Sequence, residues 1–312
     1  MDFLKQHSGK IAGFALAGLF IVSMIVSSQE SATFDEKAHI PSAYTYIDAH
    51  DMRLNPEHPP LLKDLAGIPL QFFHLVFPYD AKEWQTGVNE QWTLGDLFMN
   101  CTDPGLACNN PDTILFWARL PIIVVAVILG IVLYLWTKEL SGSLAALLAT
   151  LLYAADPNVL AHSHYVTTDI GIATTIFISS FFFIRFLKDP SPKNIVLSGL
   201  FLGVAELSKF SAVLLFPVFG LFVILYALTK EKSTGQEKQS FARLSIFLEY
   251  CLKFAASIVV CFALIWTLYF LNTYNMPSEK IVALADFNLS QRNIARSEEH
   301  TSELQSRVDI SY

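Results

Sequence analysis

The sequence is short of charge. Only 16% of its 312 residues are Asp, Glu, Lys or Arg, against 53% hydrophobic, and the mean hydropathy is +0.43. That is the balance of a polytopic membrane protein, not of a soluble domain of this length. Cationic charge is the scarcer kind. The 21 Lys and Arg against 28 Asp and Glu leave a net charge of −7, which argues against nucleic acid as a partner. Cysteine is sparse, with four in all. Cys101 and Cys108 lie in Cys-Thr-Asp-Pro-Gly-Leu-Ala-Cys, where an oxidising compartment would permit a disulfide, and their spacing identifies no metal site. Cys251 and Cys261 sit in an apolar segment and read as packing residues. Internal repeats and low-complexity stretches are lacking too.

What the chain has in quantity is apolar runs. Ile11–Ser28 is uncharged and long enough to cross the roughly 30 Å of a hydrocarbon core. Lys5 and Lys10 before it would also suit a cleaved signal peptide. The run exceeds the usual 7–15 or so apolar residues and no clear small-x-small site follows, so a retained signal anchor is expected. Six further spans are expected, at about Phe116–Trp136, Gly142–Ala155, Thr168–Leu187, Asn194–Leu207, Ser211–Leu228 and Phe254–Leu271. Loop charge sets their orientation. Residues 29–115 hold thirteen acidic and four basic residues, while the basic clusters (Lys5 and Lys10; Lys138; Arg185, Lys188 and Lys193; Lys230, Lys232, Lys238 and Arg243) fall between other spans. The positive-inside rule then places the N-terminus in the cytoplasm and the acidic loop outside. The third and fifth spans are about 14 residues, or roughly 21 Å, so their outer ends should stop below the surface. Backbone there must line a cavity or be buried in protein. Asp156, His162, His164, Asp169, Glu206 and Lys209 fall at that depth and are functional candidates, unless the helices simply extend further.

The chain thus divides into residues 1–28, an outer loop 29–115, six spans over 116–271, and the start of an outer segment at 272–295. In the outer loop, Pro59-Pro60 can open a helix on which Leu61, Leu62, Leu65, Ile68 and Phe72 share one face. That describes an amphipathic helix lying on the membrane, with Lys63 and Asp64 toward the polar side. A second such helix is expected after Asp35, with Ala38, Tyr44 and Ile47 as its stripe and Pro41 as an obstacle. The end of the chain is of another kind. From Arg296 it reads Arg-Ser-Glu-Glu-His-Thr-Ser-Glu-Leu-Gln-Ser, which resembles, codon for codon, the translation of a widely used sequencing adapter. Residues 296–312 are therefore expected to be an assembly scar, with the natural protein continuing past Ala295.

The residues that carry chemistry stand in the outer loop and at the span ends. Phe34-Asp35-Glu36 follows the first span directly, then Asn55-Pro56-Glu57-His58-Pro59-Pro60-Leu61-Leu62-Lys63, and much later Thr168-Asp169 and Lys209. Two carboxylates at a membrane surface, followed by a Glu-His-Pro-Pro corner and a lysine, suggest chemistry on a lipid-borne substrate. Over residues 10–295 this arrangement resembles the GT-C glycosyltransferases, in the branch of the protein O-mannosyltransferases and lipid A aminoarabinose transferases. The resemblance implies an all-α polytopic membrane enzyme that moves a sugar from a polyprenyl-phosphate donor to an acceptor hydroxyl on a protein, lipid or glycan. It implies Asp35, seconded by Glu36, as the catalytic carboxylate, acting as base in a direct inverting displacement. Lys63, Lys209 and His58 are then the candidates for the donor phosphate, where negative charge develops. His58 stands where aminoarabinose transferases hold a lysine. Glu57, His162 and His164 are candidate ligands for a divalent metal, and Asp169 resembles the second outer acidic residue of the family. The implied setting is a bacterial inner membrane with the site facing outside; a eukaryotic endomembrane enzyme would share the topology. Two other readings stand beside this one: a transporter whose short helices frame a path, and an inactive truncated fragment of the enzyme.

Overall fold

The computed structural model describes residues 2–100, 108–229, 239–287 and 289–290. The adapter-like tail, Cys101 and the lysines at 230, 232 and 238 lie outside the described residues; Cys108 is disulfide-bonded. All secondary structure among the described residues is helical. Five segments are long and apolar enough to cross a membrane: Asp2–Ser27, Pro111–Ala155, Asp169–Lys188, Phe210–Thr229 and Leu244–Thr273. The protein is an integral membrane protein of packed helices.

In chain order, α1 (Asp2–Ser27) leads into a long polar loop that holds α2 (Glu36–Asp48), α3 (Leu61–Leu70), α4 (Lys82–Gln85) and α5 (Gln91–Met99). The bundle continues with α6 (Pro111–Ala155), the short α7 (Pro157–His162), α8 (Asp169–Lys188) and α9 (Pro192–Glu206). A 3₁₀ turn over Phe210–Leu214 runs into α10 (Leu215–Thr229), and α11 (Gln239–Thr273) follows. Helix α1 starts well before Ile11, because nothing in Asp2–Lys10 breaks a helix.

Helix α6 would be about 68 Å long if its 45 residues ran straight. It is folded in two. Gly142 has φ 85° and ψ 175°, and beyond it the Tyr153 hydroxyl donates back to the Ala126 carbonyl at 2.7 Å. Positive φ suits a residue without Cβ, so the reversal falls at Gly142. Thr137-Lys138-Glu139, read from the sequence as the end of a span, is helical instead. The limb after Gly142 is short, and so is α9, whose 15 residues rise about 22 Å.

The long loop forms a folded cap on one end of the bundle. Ile40, Ala43, Tyr44, Leu54, Ala66, Leu70, Phe77, Leu94 and Phe98 share a core with Ile114, Ala118 and Ile122 of α6. Helix α3 packs one face into that core and leaves an apolar face outward. Leu62, Ala66 and Leu70 face inward together with Lys63 and Asp64, whereas Ile68 and Phe72 are exposed. Its crossing with α2 is very close: a Cβ on Gly67 would sit 2.0 Å from the Ala43 carbonyl oxygen. Helix α2 runs through Pro41, which forfeits only its own N–H, and is buried on nearly every side.

The cap is tied down at several span ends. The Leu61 N–H donates to the Leu207 carbonyl just past α9 (3.1 Å), and Leu62 packs on Gly171 of α8. At the end of α11, His50 Nδ1 bonds the Leu271 carbonyl (2.9 Å) and Asn272 Nδ2 donates to Asp64 (2.9 Å). Nearby, Asn275 Nδ2 donates to the Ala49 carbonyl (3.2 Å), and Lys280 Nζ to that of Gly87 (3.2 Å).

Candidate active site

Asp35 and Glu36 are adjacent in sequence and opposite in circumstance. Glu36 is fully buried and receives Arg119 Nε at 2.8 Å and Nη2 at 2.7 Å. It also accepts from Thr33 N (2.9 Å), Thr33 Oγ1 (3.1 Å) and Val166 N (3.1 Å). The Thr33 contacts fasten the turn that leads into α2. Burial alone would raise its carboxyl pKa; the Arg119 hydrogen bonds and charge outweigh it and hold the carboxyl ionised. Arg119 extends the clasp to the carbonyls of Ser27, Glu30 and Ser31 at 2.9–3.0 Å. Both oxygens of Glu36 are thereby engaged by protein groups, an arrangement that positions the chain. Asp35 occupies the N-cap position of α2 yet caps nothing. Its carboxylate is exposed and accepts no hydrogen bond from a described residue. Its place is set by the Glu36–Arg119 clasp beside it.

Lys63 is 1% exposed, and its ammonium donates to the Tyr46 hydroxyl (3.0 Å) and to the carbonyls of Asn55 (2.5 Å) and His58 (3.0 Å). Tyr46 in turn donates to the Leu54 carbonyl at 2.6 Å, so three acceptors face the lysine. Burial pushes the ammonium down to about 7, against the pull of Glu57 and Asp64. Lys63, expected on a donor phosphate, is an internal strut that shapes the Asn55–His58 corner. Glu57 stands at the outside of that corner. Gln91 Nε2 (2.5 Å) and Asn55 Nδ2 (3.2 Å) donate to one of its oxygens, and Asn89 Nδ2 (3.3 Å) to the other.

His58 points the other way, with its ring centroid 5.0 Å from that of His39. Burial depresses the His58 pKa and the charges of Lys63 and Lys209 add to it, while Glu57 and Asp35 oppose. The same lysines act on His39. Lys209 enters from the extended residue after α9 and pairs with Asp169 at the start of α8 (3.2 Å). His162 Nδ1 lies 3.9 Å from the other Asp169 oxygen. Asp35, His39, His58, Lys209, Asp169 and His162 thus form one continuous polar site between the cap and the ends of α8 and α9.

His164 belongs elsewhere. Its Nε2 meets Glu30 at 2.9 Å, and the Tyr165 hydroxyl donates to the same Glu30 oxygen at 2.8 Å, beside Arg119. Glu57, His162 and His164 are held by three different sets of partners. Among the described residues no three His, Cys, Asp or Glu side chains are grouped to hold a metal ion, so Glu57, His162 and His164 do not together fit one. Sequence reasoning passed over Arg119 and His39. A lone arginine in the apolar run after Ile114 was the available signal for the first. For the second it was a histidine four positions after Asp35, on the same helix face.

Residues 114–252 match the family described as dolichyl-phosphate-mannose-protein mannosyltransferase. No curated protein matches the chain. Among solved structures, the Saccharomyces cerevisiae protein O-mannosyltransferase Pmt1-Pmt2 complex bound to the sugar donor superposes with a TM-score of 0.54 at 18% identity. The superposition covers 85% of this chain and 34% of that one, so the chain spans about a third of the yeast protein's length. The chain has a GT-C, mannosyltransferase-like membrane fold.

Proposed function

We propose that the protein is a membrane glycosyltransferase that transfers a hexose such as mannose from a polyprenyl-phosphate donor to an acceptor hydroxyl, on a protein in the first instance, with inversion at the anomeric carbon. The observation that carries this reading is Asp35: an ionisable carboxylate that accepts no hydrogen bond from a described residue, fixed by its buried neighbour, at the edge of a cationic and imidazole-lined site. The acceptor oxygen attacks the anomeric carbon and gives its proton to Asp35. The bond from that carbon to the phosphate oxygen breaks, and its electron pair leaves with the polyprenyl phosphate. Lys209 supplies positive charge where the phosphate departs, with His58 as a donor beside it. Asp169 holds Lys209 in place across 3.2 Å. The acidic loop then faces the outer side of a bacterial inner membrane, where the donor lipid presents its sugar.

The test is transfer from polyprenyl-phosphate mannose in proteoliposomes. Asp35→Asn should lower the rate by about 10²–10⁴-fold. Because no described residue hydrogen-bonds this carboxylate, the unfolding midpoint should not move. Wild-type rates in Asp35→Asn would remove the base from the mechanism.

A further inference from the structure

Lys63 cannot serve the donor phosphate without abandoning the corner it holds, so the site needs another ligand, and His39 has the attributes of one. It lies one helical turn after Asp35, on the same face of α2. Its side chain is 5% exposed, yet no described residue hydrogen-bonds either ring nitrogen. Neither ring nitrogen is among the fully buried polar atoms left without a partner, so both open onto the site, where a ligand can reach them. The titratable groups acting on it are His58 from the corner, Lys63 from α3 and Lys209 from the turn after α9, and Asp35 stands one turn before it on its own helix.

We infer that His39 is a direct ligand of the departing phosphate, joining His58 and Lys209 to form its seat; this rests on the function proposed above. The ligand recognised is a phosphate-ester oxyanion carried on a lipid. Lys209 brings the formal charge, and the two imidazoles bring N–H donors. Burial and the surrounding cations hold the His39 ring well below its ordinary pKa, so it meets the phosphate neutral. Neutrality has a use here. A cation one turn from Asp35 would draw that carboxylate into an ion pair and weaken it as a base. A neutral N–H donor instead gains strength as negative charge grows on the leaving oxygen.

The experiment measures binding of a polyprenyl monophosphate, the leaving group itself, to the full chain in nanodiscs, with polyprenol and inorganic phosphate as controls. His39→Phe keeps the ring volume and removes both nitrogens; His39→Gln restores an N–H. His39→Phe should weaken polyprenyl monophosphate binding about tenfold, the worth of one hydrogen bond to a charged group. His39→Gln should recover most of that, and polyprenol binding should not change. In transfer kinetics with polyprenyl-phosphate mannose, His39→Phe should lower kcat more than it raises KM. Wild-type affinity in His39→Phe would overturn the inference alone and leave the glycosyltransferase reading standing. Equal losses in both variants with a lowered unfolding midpoint would also overturn it, by making His39 a packing residue. Tight His39-dependent binding of inorganic phosphate with no gain from the lipid would overturn the assignment to a lipid phosphate. If folded wild-type chain binds no polyprenyl monophosphate, the donor reading fails and this inference with it.

Discussion

Replacing Lys63 by methionine separates a strut from a phosphate ligand. The side chain keeps its length and loses its ammonium, so the carbonyl of His58 is left with no donor among the described residues. The carbonyl of Asn55 keeps only two weaker bonds, from Tyr46 at 3.3 Å and the His58 N–H at 3.4 Å. A buried acceptor deprived of its partner costs about 1–3 kcal/mol, and a charge-assisted hydrogen bond contributes about 1.5–3 kcal/mol. Against these stands the relief of no longer burying a cation at a site 1% exposed. The net effect is a destabilisation of about 2–4 kcal/mol. At about 2–4 °C per kcal/mol for chains of this order, the midpoint should fall by about 4–16 °C. Thermal unfolding of detergent-solubilised protein, followed by tryptophan fluorescence, reads this directly. An unchanged midpoint would refute the reasoning, because a lysine waiting at an open site for phosphate costs the fold nothing when it is removed.

Three further outcomes follow from the same geometry. Glu36→Gln and Arg119→Met should each cost about 3–5 kcal/mol by stranding a buried charge, whereas the double replacement Glu36→Met with Arg119→Met should recover much of the loss; additive losses in the unfolding free energy would sink the clasp. Gly67→Ala should prise α3 from α2, lowering the midpoint and exposing Trp84 of the cap to quencher, while Gly13→Ala, which meets nothing within 4 Å, should stay within about 0.5 kcal/mol of wild type. Asp64 titrates at about 7, raised chiefly by burial against its Asn272 hydrogen bond, so the folded state keeps a proton that the unfolded state loses near pH 4. The Asp64 contribution to stability should therefore fall as pH rises from about 4 to about 7, by up to about 4 kcal/mol, and then level off; the stability difference between wild type and Asp64→Asn should follow that curve, and a difference independent of pH would refute the assignment.

Membrane class was legible because hydropathy acts over whole spans and needs no partner. The start of α8 was legible at Thr168-Asp169, where polar residues meet an unbroken apolar run. The division of α6 was legible too, as one span ending near Trp136 and another starting at Gly142; that Lys138 and Glu139 are helical was not, because the reversal is confined to the glycine. Asp35 and Glu36 read as a pair because they are neighbours. On a helix, adjacent side chains point about 100° apart, and only the partner 83 positions on shows which one is taken. Lys63 and Asp64 fell on the polar side of an amphipathic pattern. Periodicity does distinguish the two faces of α3, but not water from a tyrosine, two carbonyls and an asparagine of α11. The histidine that faces the site, His39, was hidden by being buried, and burial is a property of the fold.

The ties between the cap and the end of α11 also set a timetable. His50 meets the carbonyl of Leu271, and Asp64 meets Asn272, at separations of 221 and 208 residues. At about 5–20 residues per second of synthesis, His50 waits on the order of 10–40 s before its partner exists. Until then the cap can close its apolar core against α6 and the start of α8, while His50 and Asp64 lack their partners. Any lesion that slows insertion of α11 therefore leaves the His50 and Asp64 side of the cap untied, while the polar site near Asp35, drawn from earlier segments, already has its parts.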